Sequence, residues 1–433
     1  MTEVLDGPDE LDLPRYVRDS DLVVWGQACA EPLTLTEHLM AQRAAIGRFR
    51  CFLGIPASDT VRPEHGDVVS FVSYCGSGGN RALADAGVLD VLPCHYSSFP
   101  SLLAGGTLGA DVVLVQVAPP DEHGRYSLGL AEDYFAAAID TARVVIAEVN
   151  EQVPRTAGRS LTASDIDVIV PASRPPAEMP ARQPDEVTRR IAANVAGLVD
   201  DGATLQFGIG ALPEAILGAL TEHTDLGVHS GVLNDTAAEL MRAGVITNAR
   251  KTVDPGRAIA GFLLGTRALF DFADRNPTIE LRGTAYTHDP AVLAAQERLV
   301  AINTAIEVDL TGQVNAETAN RRYVGAVGGA ADFLRGAARS RGGVPIVALP
   351  ATAGGRSRIV PALSGPVSTA RADAGVIVTE YGVADLRGQP LRVRGERLVA
   401  IAHPDHRPAL ADALAGTGSP DGRRIRDRQG APS

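Results

Sequence analysis

The sequence has little lysine, few aromatic residues and no long apolar run. The shortage of basic residues and of apolar runs bears on which partners the protein can bind. Lys251 is the single lysine, aromatic residues make up 4% of the 433 residues, and the formal net charge is −12. Nucleic acid is a poor partner for so acidic a chain, because its phosphates need basic residues. No apolar run approaches the roughly 18 to 20 residues of a membrane span. We therefore expect neither nucleic acid nor membrane as a partner.

Cysteine is also scarce. The four cysteines show neither a CxxC spacing nor a histidine at the spacing of zinc ligands, so we predict reduced thiols and no metal. The first residues, MTEVLDGPDELDLPRY, are acidic and lack the apolar core of a signal peptide. These features predict a cytoplasmic location.

Strand-like and helix-like segments alternate along the first half. The apolar runs LVVWGQ, VVSFVSY, VVLVQV and RVVIAEVN predict strands, Leu33 to Ile46 has leucines at helical spacing, and Ala131 to Thr141 is predicted as a helix. Strands that are apolar on both faces and separated by helices indicate a mainly parallel sheet covered on each side. The predicted fold class is α/β.

A proline-rich segment divides the chain. Pro171 to Pro184 holds five prolines and no hydrophobic periodicity, which is typical of a linker. A second α/β unit follows, with predicted strands ATLQFGIG, LGVHS, AIAGFLLG, LVAINTAIEVDL, VPIVALP and GVIVTEYG. We predict one domain over 1–184, a second over 185–415, and a disordered tail over 416–433.

One strand, turn and helix in the second unit has the pattern of a binding loop. The segment LQFGIGALPEAILG, from Leu205, places Gly208 and Gly210 between a predicted strand and a helix, with Pro213 in the first helical turn. Such a turn directs unpaired amides and the positive end of the helix dipole at an anion or a carbonyl oxygen. A tight structural turn has the same pattern, so this motif alone does not define a site.

Three more glycine-rich or charged loops follow predicted strands in the same half. They are Gly325 to Gly329, Ala353 to Arg358, and Glu380 to Gly382. In open α/β sheets, ligands bind beyond the carboxyl ends of strands. Backbone amides and arginines at that edge favour a phosphate-bearing ligand with a carbonyl to polarise.

Several blocks of the sequence resemble the acetyl-CoA hydrolase / 4-hydroxybutyrate CoA-transferase family. They are CAEP, VLVQVAPPDEHGRYSLG, AEVNEQVP, LQFGIGALPEAIL, GFLLGTRALFDF, INTAIEVDLTGQVNAET, SRIVP, VTEYGVADLRG and IAHPDHR. The resemblance covers about residues 20 to 410. It implies two tandem CoA-transferase-like (NagB/RpiA-like) α/β domains with the active site between them. It also implies coenzyme A or acyl-CoA as substrate, and a homodimer or higher homo-oligomer.

The family transfers CoA between carboxylates through an enzyme-bound glutamyl thioester, and its motifs imply roles for matching residues. Gly328 and Gly329 would supply amides to the oxyanion. The residues implied to contact CoA come from the first glycine loop, from the loop Gly325 to Gly329 and from one basic side chain. They are Gly208, Ile209, Gly210, Ala211, Leu212, Ala326 and Arg356.

The sequence departs from this family pattern at the nucleophile. The family motif ends in Glu, whereas this chain has His229, Ser230 and Gly231. Ala326 also replaces a glycine, and Ala330 replaces the usual Gln or Ser. Glycine cannot form a mixed anhydride or a thioester, and losing an essential nucleophile commonly costs about 10⁴-fold in rate.

Other side chains are candidates for the missing role. Glu307 is the candidate carboxylate, with a structural role as its alternative, while Glu239 fits a solvated position and Glu380 a loop-orienting one. His229 and Ser230 flank the vacant position, but adjacent residues on a strand point to opposite faces. Cys75 follows a strand and is more typical of an uncharged buried thiol.

Two functions of different classes remain open. The first is an acyl-CoA-dependent enzyme that transfers or hydrolyses an acyl thioester without a glutamyl-CoA intermediate, with a carboxylate, water or another acyl acceptor as second substrate. The space left at Gly231 would admit that acceptor, and positioned donors would stabilise the oxyanion. The second is a non-catalytic acyl-CoA-binding or partner subunit that keeps the fold.

Overall fold

The computed structural model describes residues 2–181 and 183–417, and its first half is built on an eight-stranded parallel sheet. In spatial order the strands are Glu3–Val4, Val168–Ala172, Val144–Asn150, Val112–Val117, Leu22–Trp25, Phe49–Leu53, Val69–Ser73 and Leu89–Val91. Every residue of the central strand Val112–Val117 is buried. This burial explains why the strand is apolar on both faces, as expected for a parallel sheet with covered faces.

Helices and short turns cover this sheet. The helices are Leu33–Ile46, Asn80–Asp85 and Phe99–Leu103, and the 3₁₀ turns are Pro8–Glu10, Leu13–Arg15, Pro63–Asp67, Tyr96–Ser98, Ala136–Asp140 and Ala163–Asp165. Tyr126–Ser127 and Ser160–Leu161 form a separate antiparallel pair.

The prediction of a helix from Ala131 to Thr141 is wrong. The segment contains only the 3₁₀ turn Ala136–Asp140. Ala131 forms a bridge with Phe262, and the amide of Glu132 donates to the carbonyl of Gly261 at 2.8 Å. This bridge holds Ala131 and Glu132 in an extended conformation, so tertiary pairing overrides the helical propensity of alanine.

The second half is built on a six-stranded sheet. Its strands in spatial order are Gly227–Val228, Thr204–Phe207, Leu299–Thr304, Val344–Ala348, Val376–Thr379 and Gly382–Asp385, of which the last is antiparallel to its neighbour. The helices are Glu186–Ala196, Ala211–Gly218, Asp235–Arg242, Arg267–Ala273, Thr284–Thr287, Pro290–Ala295, Ala330–Arg339, Leu391–Ala400 and Arg407–Thr417, with a 3₁₀ turn at Pro404–His406. The mainly parallel α/β architecture is confirmed.

Two of the predicted strands are each divided, and parts of them leave the main sheet. The segment 258–265 forms Ala258–Ala260, which pairs with Ile279–Leu281, and Phe262–Leu264, which pairs with Val232–Asn234. The segment 299–310 forms Leu299–Thr304 in the main sheet and a second strand, Glu307–Asp309, in a three-stranded sheet with Val314–Asn315 and Ile359–Val360. Two hairpins complete the fold: Thr318–Ala319 with Arg322–Tyr323, and Thr352–Ala353 with Arg356–Ser357.

The sequence predicts a linker in the proline-rich segment and a disordered tail at the end of the chain. Residues 173–181 have no regular secondary structure, and the amide of Met179 donates to the carbonyl of Gly265 at 2.8 Å. The last helix ends at Thr417, and the rest of the predicted tail, 418–433, lies outside the described residues. The domain division at Pro184 stays a prediction. Within the described residues, no helix is long and apolar enough to cross a membrane.

The two halves meet through backbone hydrogen bonds at the glycine loop 325–329. The amide of Gly76 donates to the carbonyl of Gly325, and the amide of Tyr96 donates to the carbonyl of Gly328, each at 3.0 Å. On the next turn, Asp332 accepts hydrogen bonds from the hydroxyl and the amide of Ser97. We call the region between this loop and Gly231 the cleft; residues of both halves border it, since Tyr96, Gly231 and Gly329 all lie next to His288.

Candidate active site

The glycine turn at Gly208 and Gly210 follows the strand Thr204–Phe207 and begins the helix Ala211–Gly218. Gly210 has a φ of 106° and a ψ of 177°, a conformation that glycine alone adopts readily, and a Cβ there would meet no atom within 4 Å. Ile209, at the tip, is 38% exposed. The turn thus presents an open backbone surface, as expected of a loop that approaches a ligand.

Gly231 lies between the short strands Gly227–Val228 and Val232–Asn234, and hydrogen bonds hold its backbone in place. Its carbonyl accepts hydrogen bonds from the amides of Gly261 and Phe262 at 3.0 and 3.2 Å. A Cβ built on Gly231 would lie 3.4 Å from Cε1 of His288 and 4.0 Å from the Phe333 ring. A Cβ therefore fits at this position, but a longer side chain would meet the rings of His288 and Phe333.

His229 and Ser230 point to different sides of the chain, as the strand geometry predicts. The His229 ring is fully buried, with Nε2 at 3.1 Å from the carbonyl of Thr287 and Nδ1 at 3.2 Å from Nε2 of Gln296. The Ser230 hydroxyl donates to the carbonyl of Phe207 at 3.1 Å. These two side chains do not form a Ser-His pair.

The electrostatics around His229 keep its imidazole neutral. Burial and, to a smaller extent, the neighbouring Lys251 lower the pKa of His229 to about 4. Lys251 is itself buried, which lowers the pKa of its ammonium group to about 7, and it donates to the carbonyls of Val228 and Arg257. The single lysine of the chain therefore supports the strand end that carries Gly231.

Gly328 and Gly329 lie on the opposite wall, immediately before the helix Ala330–Arg339. Gly328 has a φ of 58°, and its carbonyl accepts from the Tyr96 amide of the first half. A Cβ on Gly329 would lie 2.5 Å from Nε2 of His288, so this position has no room for a side chain. Gly231, Gly328 and Gly329 are each half-buried, which leaves this part of the cleft open to a ligand.

His288 joins these glycines, and the sequence reasoning missed it. The residue is 3% exposed and precedes the helix Pro290–Ala295. Its ring packs between Tyr96 and Phe333, at centroid distances of 5.0 and 4.4 Å. Burial and the neighbouring His229 lower the pKa of His288 to about 3, so the imidazole is neutral at physiological pH.

A buried polar network lies behind Tyr96. Nε2 of Gln27 donates to the Tyr96 hydroxyl at 2.6 Å and to Oδ2 of Asp133 at 2.9 Å, while Oε1 of Gln27 accepts from Tyr74. Burial raises the pKa of Asp133 to about 7. This network fixes the Tyr96 ring, which in turn packs against His288.

The candidate carboxylates are engaged in structural hydrogen bonds or exposed. Glu307 is 6% exposed and accepts from Nδ2 of Asn315 and from the amides of Ser364 and Gly365. Glu380 accepts from the Ala351 amide at 2.8 Å, and Glu239 is exposed. The hydrogen-bond partners of these carboxylates do not include the residues around Gly231.

The remaining predicted residues lie in separate places. Arg356 is exposed in its hairpin, where Nη1 donates to Oδ1 of Asn320 at 3.0 Å. Ala326 forms a bridge with Cys75 between the halves, and Cys75 is 1% exposed. Within the described residues, the four cysteines form no disulfide, and no group of three His, Cys, Asp or Glu side chains could hold a metal ion.

This arrangement of two α/β halves around a glycine-lined cleft agrees with the similarity of the chain to known proteins. Models of the acetyl-CoA hydrolase/transferase N-terminal and C-terminal domains match residues 9–176 and 265–414. The chain belongs to the acetyl-CoA hydrolase/transferase family. It is an enzyme of this family, whose members act on CoA thioesters.

Individual relatives cover almost the whole chain. The 4-hydroxybutyrate coenzyme A transferase of Clostridium kluyveri is 44% identical over 411 residues, which are 91% of this chain and 94% of that protein. The crystal structure of RipA from Yersinia pestis superposes with a TM-score of 0.90 at 35% identity, covering 96% and 97% of the two chains. The 4-hydroxybutyrate CoA-transferase structure from Porphyromonas gingivalis gives 0.80 at 36% identity, covering 96% and 98%.

Proposed function

We propose that the chain binds an acyl-CoA across the cleft and transfers or hydrolyses its acyl group without forming a glutamyl-CoA intermediate. This proposal is supported by which side chains lie next to Gly231. The three nearest atoms to a Cβ at that position belong to the rings of His288 and Phe333, and none belongs to a carboxylate. A covalent CoA intermediate needs a carboxylate there, so an acceptor must attack the substrate directly.

The binding half of the reaction is assigned to the two glycine loops. The open turn at Gly210 and the helix Ala211–Gly218 would take the CoA moiety, since an open helix N-terminus favours phosphate and carbonyl oxygens. Gly328 and Gly329, at the N-terminus of the helix Ala330–Arg339, would direct amides at the thioester carbonyl. Acyl-CoA held in this way supplies the positioning on which direct attack depends.

The chemical steps balance without a residue that is covalently modified. In hydrolysis, a water oxygen attacks the thioester carbon, the C–S bond breaks, and the electron pair and the proton from water pass to the CoA sulfur. In transfer, an acceptor carboxylate attacks to form a mixed anhydride and CoA thiolate. The thiolate then attacks the acceptor carbonyl of the anhydride, the C–O bond breaks, and the original acyl group leaves as its carboxylate. Both routes depend on stabilising the oxyanion, for which the amides of the 328–329 loop are the candidates.

Mass spectrometry of the intact protein combined with a thiol assay tests this proposal. The protein is incubated with acetyl-, butyryl- or succinyl-CoA, with and without acetate as acceptor, and then treated with borohydride or hydroxylamine. We expect free thiol or a new acyl-CoA, with no change in protein mass. A CoA adduct or a reduced carboxyl group on the protein would overturn the direct route.

The second candidate function, acyl-CoA binding without catalysis, is favoured by the fully hydrogen-bonded state of Glu307. Hydrogen bonds from Asn315 and Ser364 engage the Glu307 carboxylate, which makes it a poor replacement for the missing nucleophile. Calorimetry with butyryl-CoA in the same experiment distinguishes the two functions. Binding with no thiol release and no product in the whole panel would support the non-catalytic role, and absence of binding would contradict both.

A further inference from the structure

The unpartnered edge of a buried histidine faces the cleft beside Gly231. Among the described residues, the one hydrogen bond of the His288 side chain joins Nδ1 to the Thr287 hydroxyl at 2.9 Å. Nε2, on the other edge of the ring, has no partner there and lies next to Gly329 and Gly231. The residue as a whole is 3% exposed, but Nε2 is not among the fully buried atoms of the described residues that lack a partner, so this unpaired nitrogen keeps surface that a ligand could reach.

The hydrogen bonds of Thr287 determine which nitrogen of His288 carries the proton. The Thr287 hydroxyl has one hydrogen, and its two neighbours are Nδ1 of His288 at 2.9 Å and the Gly283 carbonyl at 3.4 Å. The shorter contact favours donation to Nδ1. Because the imidazole is neutral, its proton then lies on Nε2, which is the nitrogen that faces the cleft.

We propose that His288 is a catalytic residue whose Nε2–H donates a hydrogen bond to the carbonyl oxygen of a bound acyl-CoA and to the oxyanion that forms when the carbonyl is attacked. It acts together with the backbone amides at Gly329, where the helix Ala330–Arg339 begins. This role rests on the proposed function, since it serves direct attack on the thioester. The histidine keeps its proton throughout, so the balance of atoms given above is unchanged.

The surroundings of the ring suit a neutral donor better than a base. The rings of Tyr96 and Phe333 pack against His288, and His229, whose charge would bear on the pKa of His288, is itself a neutral buried imidazole. A proton taken up here would create a charge in an apolar cage, which is costly. A neutral imidazole in such a site instead polarises a carbonyl without becoming charged, and a fixed donor of this kind stabilises the oxyanion more than it does the ground state.

Two substitutions of His288 distinguish the effect of its N–H donor from the effect of its ring packing. His288→Phe keeps an aromatic ring between Tyr96 and Phe333 but removes Nε2–H, and His288→Gln keeps an N–H donor on a flexible chain. Loss of one oxyanion donor typically costs about 10² to 10³ in kcat. We expect His288→Phe to lose about that much in kcat with little change in KM, and His288→Gln to recover part of it. Thr287→Val, which removes the hydroxyl that orients the ring, should have a smaller effect of the same kind.

Infrared spectroscopy of a bound analogue tests the same contact without turnover. The probe is a ¹³C-labelled ketone analogue of butyryl-CoA in which a methylene replaces the thioester sulfur. Donation from His288 should move its carbonyl stretch to lower frequency on binding, and His288→Phe should abolish most of this shift while the affinity measured by calorimetry stays within about threefold.

The two measurements separate the possible failures. An unchanged carbonyl shift in His288→Phe would overturn the role of His288, whether or not the enzyme turns over. Turnover by a covalent adduct, with the shift abolished as expected, would overturn direct attack but leave His288 as a carbonyl donor. Normal turnover in His288→Phe, with no adduct, would leave direct attack standing and remove His288 from it.

Discussion

Gln27 and Asp133 form a hydrogen bond of 2.9 Å between Nε2 and Oδ2, in a region that is closed to solvent. The same Gln27 nitrogen also donates to the Tyr96 hydroxyl, whose ring packs against His288. Asp133, Gln27 and Tyr96 therefore form a chain of contacts that ends at the His288 ring beside Gly231. Changes in this support are expected to affect both stability and the site.

The first prediction concerns the pH dependence of stability. Burial raises the pKa of Asp133 from 3.8 to about 7, so the folded state holds a proton that the unfolded state releases. This contribution to stability is fully present below pH 3.8 and is lost as the pH rises to about 7, with an upper limit of roughly 4 kcal/mol. We expect Asp133→Asn to remove this dependence.

Thermal unfolding between pH 4 and pH 8 measures this effect. The melting temperature of the wild type, relative to that of Asp133→Asn, should fall across this range. Glu239→Gln, which changes an exposed carboxylate, is the control and should follow the wild type. Parallel curves for Asp133→Asn and the wild type would show that Asp133 is ionised in the folded protein.

The second prediction concerns Gly210 in the binding turn. Its φ of 106° and ψ of 177° are adopted easily only by glycine, and a Cβ would meet no atom within 4 Å. Gly210→Ala should therefore destabilise the protein by about 1 to 3 kcal/mol through backbone strain alone. If the turn reshapes to relieve that strain, the affinity for CoA should fall as well, as measured by calorimetry.

Gly218→Ala is a matched control for this substitution. Gly218 ends the same helix, and a Cβ there would also meet no atom within 4 Å. Alanine in a helix is favoured over glycine by about 0.5 to 1 kcal/mol, so this variant should be slightly more stable and bind CoA normally. Equal behaviour of the two variants would contradict a special role for the turn.

The third prediction separates a structural role of Glu307 from a catalytic one. Its carboxylate accepts from Asn315, from the amide and hydroxyl of Ser364, and from the Gly365 amide. Glu307→Gln turns an N–H group toward these donors and should cost about 1 to 3 kcal/mol of stability, measured by urea unfolding. Glu239→Gln should change stability by less than about 0.5 kcal/mol. A CoA thioester found on Glu307 would refute the structural role.

The fourth prediction concerns placing at position 231 the glutamate that the family resemblance implies. A glutamate at position 231 has room for its Cβ, but the His288 ring lies 3.4 Å beyond. Gly231→Glu alone is therefore expected to leave the protein mass unchanged after incubation with acyl-CoA. Combined with His288→Ala, which opens the space, it should form a glutamyl thioester that hydroxylamine cleaves.

Gly231→Gln with His288→Ala is the control, because an amide cannot replace the carboxylate in this chemistry. It should fold as well as the glutamate double variant and form no adduct. An adduct in Gly231→Glu alone would show that the His288 ring does not block the position.

Much of the fold could be predicted from local sequence. Val112–Val117 is apolar on both faces because it is central in a parallel sheet, and Asp185 caps the helix Glu186–Ala196 by accepting from the Thr188 amide. The prediction for Ala131 to Thr141 failed because the deciding contacts, with Gly261 and Phe262, lie more than 120 residues away and leave no local pattern.

In the candidate site, only the glycine positions could be predicted from the sequence. Gly210, Gly328 and Gly329 stand out in the sequence because their positions exclude side chains or require unusual backbone angles. Gln27, Tyr96 and His288 come from three distant segments and share no spacing. One sequence feature could have pointed to His288. It is the histidine of the short polar segment Tyr286–Pro290, which lies between two of the blocks that resemble the family.

The two halves of the chain are joined at the 325–329 loop by backbone atoms: the amides of Gly76 and Tyr96 reach the carbonyls of Gly325 and Gly328. Main-chain contacts of this kind persist when side chains are exchanged. Ala326 forms a bridge with Cys75 through its main chain, so this contact does not depend on the side chain at position 326. Substitutions at the side chains of this loop should therefore leave the junction between the two halves in place.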